Sequence, residues 1–263
     1  IDPACPSGGL GGAGVALKLV QAVGMLVGKP DVWLELTDLA TLGTVADIVP
    51  LESENRALVT HGLMRMRSEP VLGVASLAVV AGVDTSSITA DRIAFGLAPR
   101  LNAAGRMADP AIALELLMTT DPVRAEELAR ALDEHNTLRQ SVERDLYDAA
   151  TALAQREFTM GDRALVLAGE GWHEGVKGIV ASRLVAQYGV PVFLFAVEDG
   201  IAKGSARSVG DVDLHAAISE CSDSVLRFGG HAAAAGVTLE FDRIGEFKSC
   251  LLSHLATLPA EAF

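Results

Sequence analysis

"RALVLAGEGWHEGVKGIVASRLVAQYGVPVFLFAV", residues 163–197, holds two short apolar runs on either side of a longer stretch of helical character. "RALVLAG" (163–169) and "PVFLFAV" (191–197) read as strands, and "VKGIVASRLVAQYG" (176–189) between them reads as a helix. Strands that are apolar without alternation are the mark of a parallel sheet buried on both faces, and the helix supplies the crossover. The fold class is therefore α/β. Downstream, "GIAKGSARS" (200–208), a helix from about Asp213, the stretch "RFGGHAAAAG" and "GVTLEF" (236–241) complete one α/β domain.

Upstream lies a longer element. Asp121-Pro122 is an N-cap followed by proline at the first helical position. From there Val123, Leu128, Leu132, Leu138, Val142, Leu146 and Leu153 recur at near-helical spacing to about residue 156. One helix of that length spans ~50 Å. We read it as a bridge between two domains rather than as two helices of a bundle. Before it, residues 14–27 read as a buried helix and "DVWLEL" (31–36) as a short strand. A loop follows, then a helix from about Ser53 with that serine as N-cap, and helices over 72–80 and 90–98.

The 263 residues are half apolar, 5% aromatic and carry a net charge of −13. That composition fits a globular chain and excludes a disordered one. The charge argues against a broad basic surface for duplex nucleic acid, but leaves room for a narrow basic groove. No apolar run approaches the ~20 residues that cross a bilayer. Cys5, Cys221 and Cys250 are far apart and odd in number, so we expect reduced thiols in a cytoplasmic protein. The chain opens on Ile1 without an initiator Met, and a fragment with its missing part upstream is expected.

Gly9, Gly11 and Gly14 match a dinucleotide fingerprint with Glu35 or Asp38 about 20 residues on, but "IDPACPS" is a poor strand to precede it. A glycine-rich helix entry packed against a neighbour is the preferred account. Four other stretches carry chemistry. "DLATLGTVADIVPL" (38–51) sets Asp47 at the end of an apolar segment, with Asp38 at the expected strand end; a turn role for Asp47 is the plainer alternative. "APRLNAAGRM" (98–107) surrounds Arg100, Asn102 and Arg106 with small residues that let a phosphate come close, the plainer alternative being a helix end capped by Gly105. "KGSARS" (203–208) repeats that pattern with Lys203, Ser205, Arg207 and Ser208, and an extended strand would put Ser205 and Arg207 on one face. Finally, Gly229 and Gly230 expose backbone amides beside His231, and a glycine-rich turn before a helix is an anion site. An extended phosphodiester would suit the last three of these surfaces.

"GTVADIVPL", "RLNAAGRM", "GEGWHEGVKGIVASRL", "KGSARS" and "FGGHAAAAG" resemble, in order and spacing, the RecJ single-stranded-DNA exonucleases of the DHH phosphoesterase superfamily. The resemblance runs from about residue 8 to 241. It implies the C-terminal portion of a DHH domain over 1–118, a connecting long helix over 119–158 and a DHH-associated domain over 159–263, with single-stranded DNA held between the domains. It implies removal of nucleotides from a 5′ end by Mn2+- or Mg2+-dependent hydrolysis, in DNA repair and recombination. Asp47 matches a metal-ligating aspartate, His231 the histidine at the scissile phosphate, and Arg106, Ser205 and Arg207 the groups on DNA phosphates. Asn102, Ser208, Gly229 and Gly230 join them as substrate-binding residues. The expected partners are single-stranded DNA and a single-strand-binding protein, with a monomeric chain and no membrane. The family's Asp-x-Asp and Asp-His-His strings are missing: the only Asp-x-Asp is "DVD" (211–213), and no two histidines are adjacent. The chain alone is therefore expected to be inactive and to bind no metal. The alternatives are a phosphodiesterase of the same superfamily for short oligoribonucleotides or cyclic dinucleotides, a non-catalytic single-strand-binding module and, more distantly, an NAD-dependent oxidoreductase.

Overall fold

A computed structural model of the protein describes residues 8–263. The expectations placed on Cys5 and on "IDPACPS" lie outside the described residues. By its contacts the chain divides into two units, one ending at Leu138 and one beginning at Arg139.

The first unit is helical: α1 (Gly12–Leu26), α2 (Thr37–Ala46), α3 (Ser53–Ser68), α4 (Leu72–Val80), a turn α5 (Ala90–Arg92) running through a π-helical segment (Ile93–Leu97) into α6 (Ala98–Met107), and α7 (Ala111–Met118). The N-terminal part of α8 (Pro122–Glu157) completes it. Its core gathers Met66, Val74, Leu77, Ile88, Ile93, Leu97, Leu116 and Leu132, all buried. Removing that much apolar surface from water is the main force holding the helices together.

Three expectations fail here. Residues 32–36 form a 3-10 turn, not a strand. A six-residue stretch with four apolar residues is too short for periodicity to choose between the two, and Trp33 and Leu36 pack on Leu17, Ala40 and Leu58. The expected loop after it is α2, in which three threonines, a valine and a glycine weaken the local helix preference. Close packing makes the helix: a Cβ on Gly43 would lie 2.6 Å from that of Ala13, and Thr41 Oγ1 donates to Leu58 O at 3.2 Å. Lastly, Ser53 does not cap α3; it is the first helical residue, with φ 42°, and no side chain caps that end.

The glycine-rich entry does pack against a neighbour, since a Cβ on Gly11 would sit 2.6 Å from Val49 Cγ2. Asp38, expected at a strand end, is fully buried in the first turn of α2. It accepts from Leu39 N at 2.8 Å and Val71 N at 3.0 Å, which makes it a structural tie between α2 and the start of α4.

The second unit holds the C-terminal part of α8 and a five-stranded sheet in the order β1-β2-β3-β5-β4. The strands are β1 (Leu165–Glu170), β2 (Val192–Glu198), β3 (Ile201–Arg207), β4 (Arg227–Gly230) and β5 (Ala234–Glu240), with helices α9 (Glu174–Tyr188), α10 (Leu214–Glu220) and α11 (Ile244–Ala256). The sheet is mixed: only β1 and β2 run parallel, joined through α9, and every other pairing is antiparallel. Accordingly β3 and β5 alternate buried and open positions where β2 is buried over four consecutive residues. One sheet face packs Phe193, Phe195, Ala202, Ala206, Val237 and Leu239 against Phe247 and Leu251 of α11.

The free thiols expected at Cys221 and Cys250 are instead a disulfide between the end of α10 and α11. Both helices belong to the core on that one sheet face, which brings the two sulfurs together across 29 positions of sequence. No helix among the described residues is long and apolar enough to cross a membrane.

Candidate functional site

Two hollows, one in each unit, collect most of the residues singled out from the sequence. The first, of about 610 Å³, lies between α2 and α6 and is lined by Gly43, Ala46, Asp47, Asn102, Gly105 and Arg106. Asp47 stands at the C-cap of α2, its N–H donating to Gly43 O at 3.0 Å, and its carboxylate is exposed. The next residue, Ile48, takes φ 55° and is 89% exposed, so the chain turns sharply just after the carboxylate. Asn102 and Arg106 are one turn apart on α6 and reach the same space. Gly105 lies inside α6 instead of capping it, and a Cβ there would meet only Pro110 Cβ at 3.8 Å. Arg100 does not join them. It pairs with Asp133 at 2.7 Å and donates to Gly96 O, fastening α6 to α8.

The second hollow, of about 420 Å³, opens on the sheet beside α9. Ser205 and Gly229 line it, together with Lys177, Lys203, Arg227 and Thr238. Lys203 pairs with Glu174 at 3.3 Å. Lys177 is 2% exposed and its ammonium donates to Lys203 O. Burial pushes its pKa below the ordinary lysine value; nearby Glu174 opposes that shift and Lys203 adds to it.

The remaining predicted residues have other surroundings. Arg207 shares the face of Ser205 but packs beneath α9: a Cβ on Gly178 would be 2.5 Å from its Nη2, and Nη1 donates to Ala206 O at 2.8 Å. Ser208 turns its hydroxyl to Val212 O, tightening the turn before α10. The glycine-histidine stretch is not a turn before a helix, as expected, but the tip of the β4–β5 hairpin. Gly230, at φ 145°, makes the tight corner that no side chain tolerates. His231 follows with its N–H donating to Ala234 O at 2.9 Å and its side chain exposed.

Sequence reasoning missed Lys177, Arg227 and Thr238. A charged residue inside the apolar run of α9 was the available signal for Lys177. Arg227 stands two residues before Gly229, on the same strand face. Among the described residues no three His, Cys, Asp or Glu side chains come together as a metal site. Asp47 offers one carboxylate, and the described residues do not complete a metal shell around it.

Comparison with known proteins narrows the reading. Residues 161–256 match the DHHA1 domain. The single-stranded-DNA-specific exonuclease RecJ of Bacillus subtilis (strain 168) is 43% identical over 257 residues, which is 95% of this chain and 32% of that protein. The crystal structure of RecJ in complex with Mg2+ from Thermus thermophilus superposes with a TM-score of 0.88 at 36% identity, over 98% of this chain and 40% of the other. That of exonuclease RecJ bound to manganese gives a TM-score of 0.85 at 35% identity, covering 99% and 64%. The chain spans 32–46% of the length of the curated relatives it matches.

Proposed function

Because this chain is homologous to the RecJ exonucleases over nearly its whole length, we propose that the protein carrying it degrades single-stranded DNA from the 5′ end by divalent-metal-assisted hydrolysis. The observation that carries this reading is the shared hollow of Asp47, Asn102 and Arg106, three residues of two separate motifs. An exposed carboxylate beside a guanidinium and an amide suits a phosphodiester. Arg106 pairs with phosphate oxygens, Asn102 donates a hydrogen bond, and Asp47 is the group that would ligate Mn2+ or Mg2+. A bound divalent ion supplies Lewis acidity at the phosphoryl oxygen and an activated water.

In the C-terminal unit, Ser205 and the amides near Gly229 and Gly230 hold further phosphate oxygens, Arg207 and Ser208 support that edge, and the exposed His231 stands at the scissile phosphate. We take residues 1–118 as part of a DHH domain, 119–158 as the connecting helix and 159–263 as the DHH-associated domain. The protein works in the cytoplasm as a monomer, with single-strand-binding protein as a partner. With one candidate metal ligand among the residues described, the 263-residue chain alone does not turn over.

The test is nucleotide release from a 5′-phosphorylated single strand, its duplex and a dinucleotide, each with Mn2+. The protein expressed from its complete reading frame is expected to degrade the single strand from the 5′ end, and the 263-residue chain is not. Preference for the dinucleotide would replace the exonuclease reading with that of a short-oligonucleotide phosphodiesterase. Binding of the strand without any hydrolysis would leave a non-catalytic module.

A further inference from the structure

Strand register lays three rungs in a row across one face of the C-terminal sheet. Arg207 on β3 stands opposite Ala234 on β5, and His231 joins that rung through its N–H on Ala234 O. Ser205, Gly236 and Gly229 form the next rung, on β3, β5 and β4, and Lys203, Thr238 and Arg227 form the one after it. Residues two apart on a strand share a face, so the rungs follow one another in a line, ~7 Å apart.

The exonuclease reading gives this line a direction. A strand cut from its 5′ end sets its terminal phosphate at Ser205 and its scissile phosphate at His231, with the first nucleoside between them. The Lys203–Thr238–Arg227 rung lies on the other side of Ser205, past the end of a strand that bears a single 5′ phosphate. Of such a strand, only a group attached to the terminal phosphate reaches it. The rung is nonetheless suited to an anion. Arg227 is exposed and, among the described residues, forms no ion pair, while the hydroxyls of Ser205 and Thr238 make no hydrogen bond there. Lys203 shares its ammonium with Glu174, and Lys177 from α9 brings a second ammonium to the same hollow. Among the described residues Glu174 is the one carboxylate lining it, so a chain of net charge −13 keeps a local excess of positive charge here. The floor leading to it is bare: a Cβ on Gly229 would meet nothing within 4 Å, and one on Gly236 only carbonyl oxygens at 3.9 and 4.0 Å.

We infer that this hollow admits a 5′-triphosphate, with its first phosphate at Ser205 and its last on the Lys203–Thr238–Arg227 rung, so that triphosphorylated single strands are substrates as well as monophosphorylated ones. Arg227 grips the last phosphate in a fork, Thr238 donates its hydroxyl and Lys203 adds a point charge. The glycine floor lets the middle phosphate lie close against the sheet. Two P–O–P bridges fall somewhat short of the ~7 Å between rungs, and the long arginine and lysine side chains cover the difference. The cut itself is unchanged. Water oxygen bonds to the scissile phosphorus, the bond to the 3′-oxygen of the first nucleotide breaks, and that oxygen takes a proton. The first product is then a nucleoside 5′-triphosphate. The inference rests on the single-strand exonuclease reading and extends it to the chemistry of the 5′ end.

The experiment compares short oligothymidylates carrying a 5′-monophosphate or a 5′-triphosphate, bound in chelator to the protein expressed from its complete reading frame, over a series of salt concentrations. Wild type is expected to hold the triphosphorylated strand roughly tenfold tighter, with a slope of log K against log salt steeper by ~0.7. Arg227→Ala removes both differences and leaves the monophosphorylated strand bound as in wild type. Thr238→Val narrows the affinity difference and leaves the slope alone. With Mn2+, wild type releases thymidine 5′-triphosphate first from the triphosphorylated strand. Equal affinity for the two strands, or refusal of the triphosphate while the monophosphorylated strand is degraded normally, overturns the inference and leaves the exonuclease reading standing. A triphosphate advantage that survives Arg227→Ala overturns it too, as does equal weakening of both strands by Arg227→Ala and by Thr238→Val. A wild-type protein that neither binds nor degrades either strand removes the inference and the reading together.

Discussion

Lys177 is buried at 2% exposure on a helix that otherwise turns valine, alanine and leucine inward, and its ammonium is tied to Lys203 O. Desolvation holds its proton more weakly in the folded chain than in the unfolded one. Between the depressed folded pKa and the ordinary value of 10.5 the unfolded chain therefore binds more protons, and stability rises with pH across that window. Lys177→Met removes the titration. The stability difference between variant and wild type should be fully developed below the folded pKa and should drift in favour of wild type as pH climbs toward 10.5. Urea unfolding at neutral pH and near pH ~10 measures it, and parallel behaviour at both would show that burial does not govern this amine. Asp47, Asn102 and Arg106 are legible in the sequence because small neighbours in their motifs leave polar groups nothing to do in a core. Lys177 is not, because its motif reads as a buried helix and one sequence does not reveal which turn faces a cavity.

The same contrast holds for whole elements. α8 is legible because Asp121-Pro122 gives a start signal and its apolar repeat persists for many turns. Asp121 caps it as expected, with Val123 N donating to Oδ1 at 2.9 Å. Asp121→Ala should cost about 1 kcal/mol in denaturant unfolding while Asp121→Asn keeps most of it, and an equal loss in both would assign the effect to charge instead of capping. α2 and the β4–β5 hairpin are not legible. Threonine and glycine weaken the helix preference of α2, and the alanines of the hairpin favour helix over strand, so tertiary contact decides: α3 packing on Thr41 holds one as a helix, and pairing of β5 with β3 and β4 draws the other into the sheet. The hairpin corner can be tested directly. Gly230→Ala forces a side chain into φ 145° and against Ala235, 2.6 Å from its Cα, so the C-terminal unit should lose ~1–3 kcal/mol. If His231 acts where we place it, catalytic turnover should fall further than the unfolding of that unit accounts for.

For the molecule as a whole, two separate cores, one centred on Met66 and Leu77 and the other on Phe193 and Phe247, mean that a single unfolding transition is not the natural expectation. The disulfide Cys221–Cys250 closes a loop wholly within the second unit, across 29 positions. In the chain-entropy account a loop of that length restricts the unfolded chain by about 3.5 kcal/mol at room temperature. All of that stabilisation belongs to the unit whose unfolded state the bond restrains. Calorimetry of the 263-residue chain with and without a thiol reductant should therefore show one transition moving down by roughly 10–15 °C while the other stays in place. Cys250→Ser should reproduce the reduced trace without reductant. β4 follows Cys221 after one short 3-10 turn and lies inside the loop that the bond closes, so the loosened unit is also the one that presents Arg227, Gly229 and His231. Single-strand affinity should then weaken on reduction, with the contribution of Asp47, Asn102 and Arg106 in the other unit unaltered. A shift of both transitions together would mean that the units unfold as one cooperative body through α8, and the bond would then stabilise the whole chain instead of one half of it.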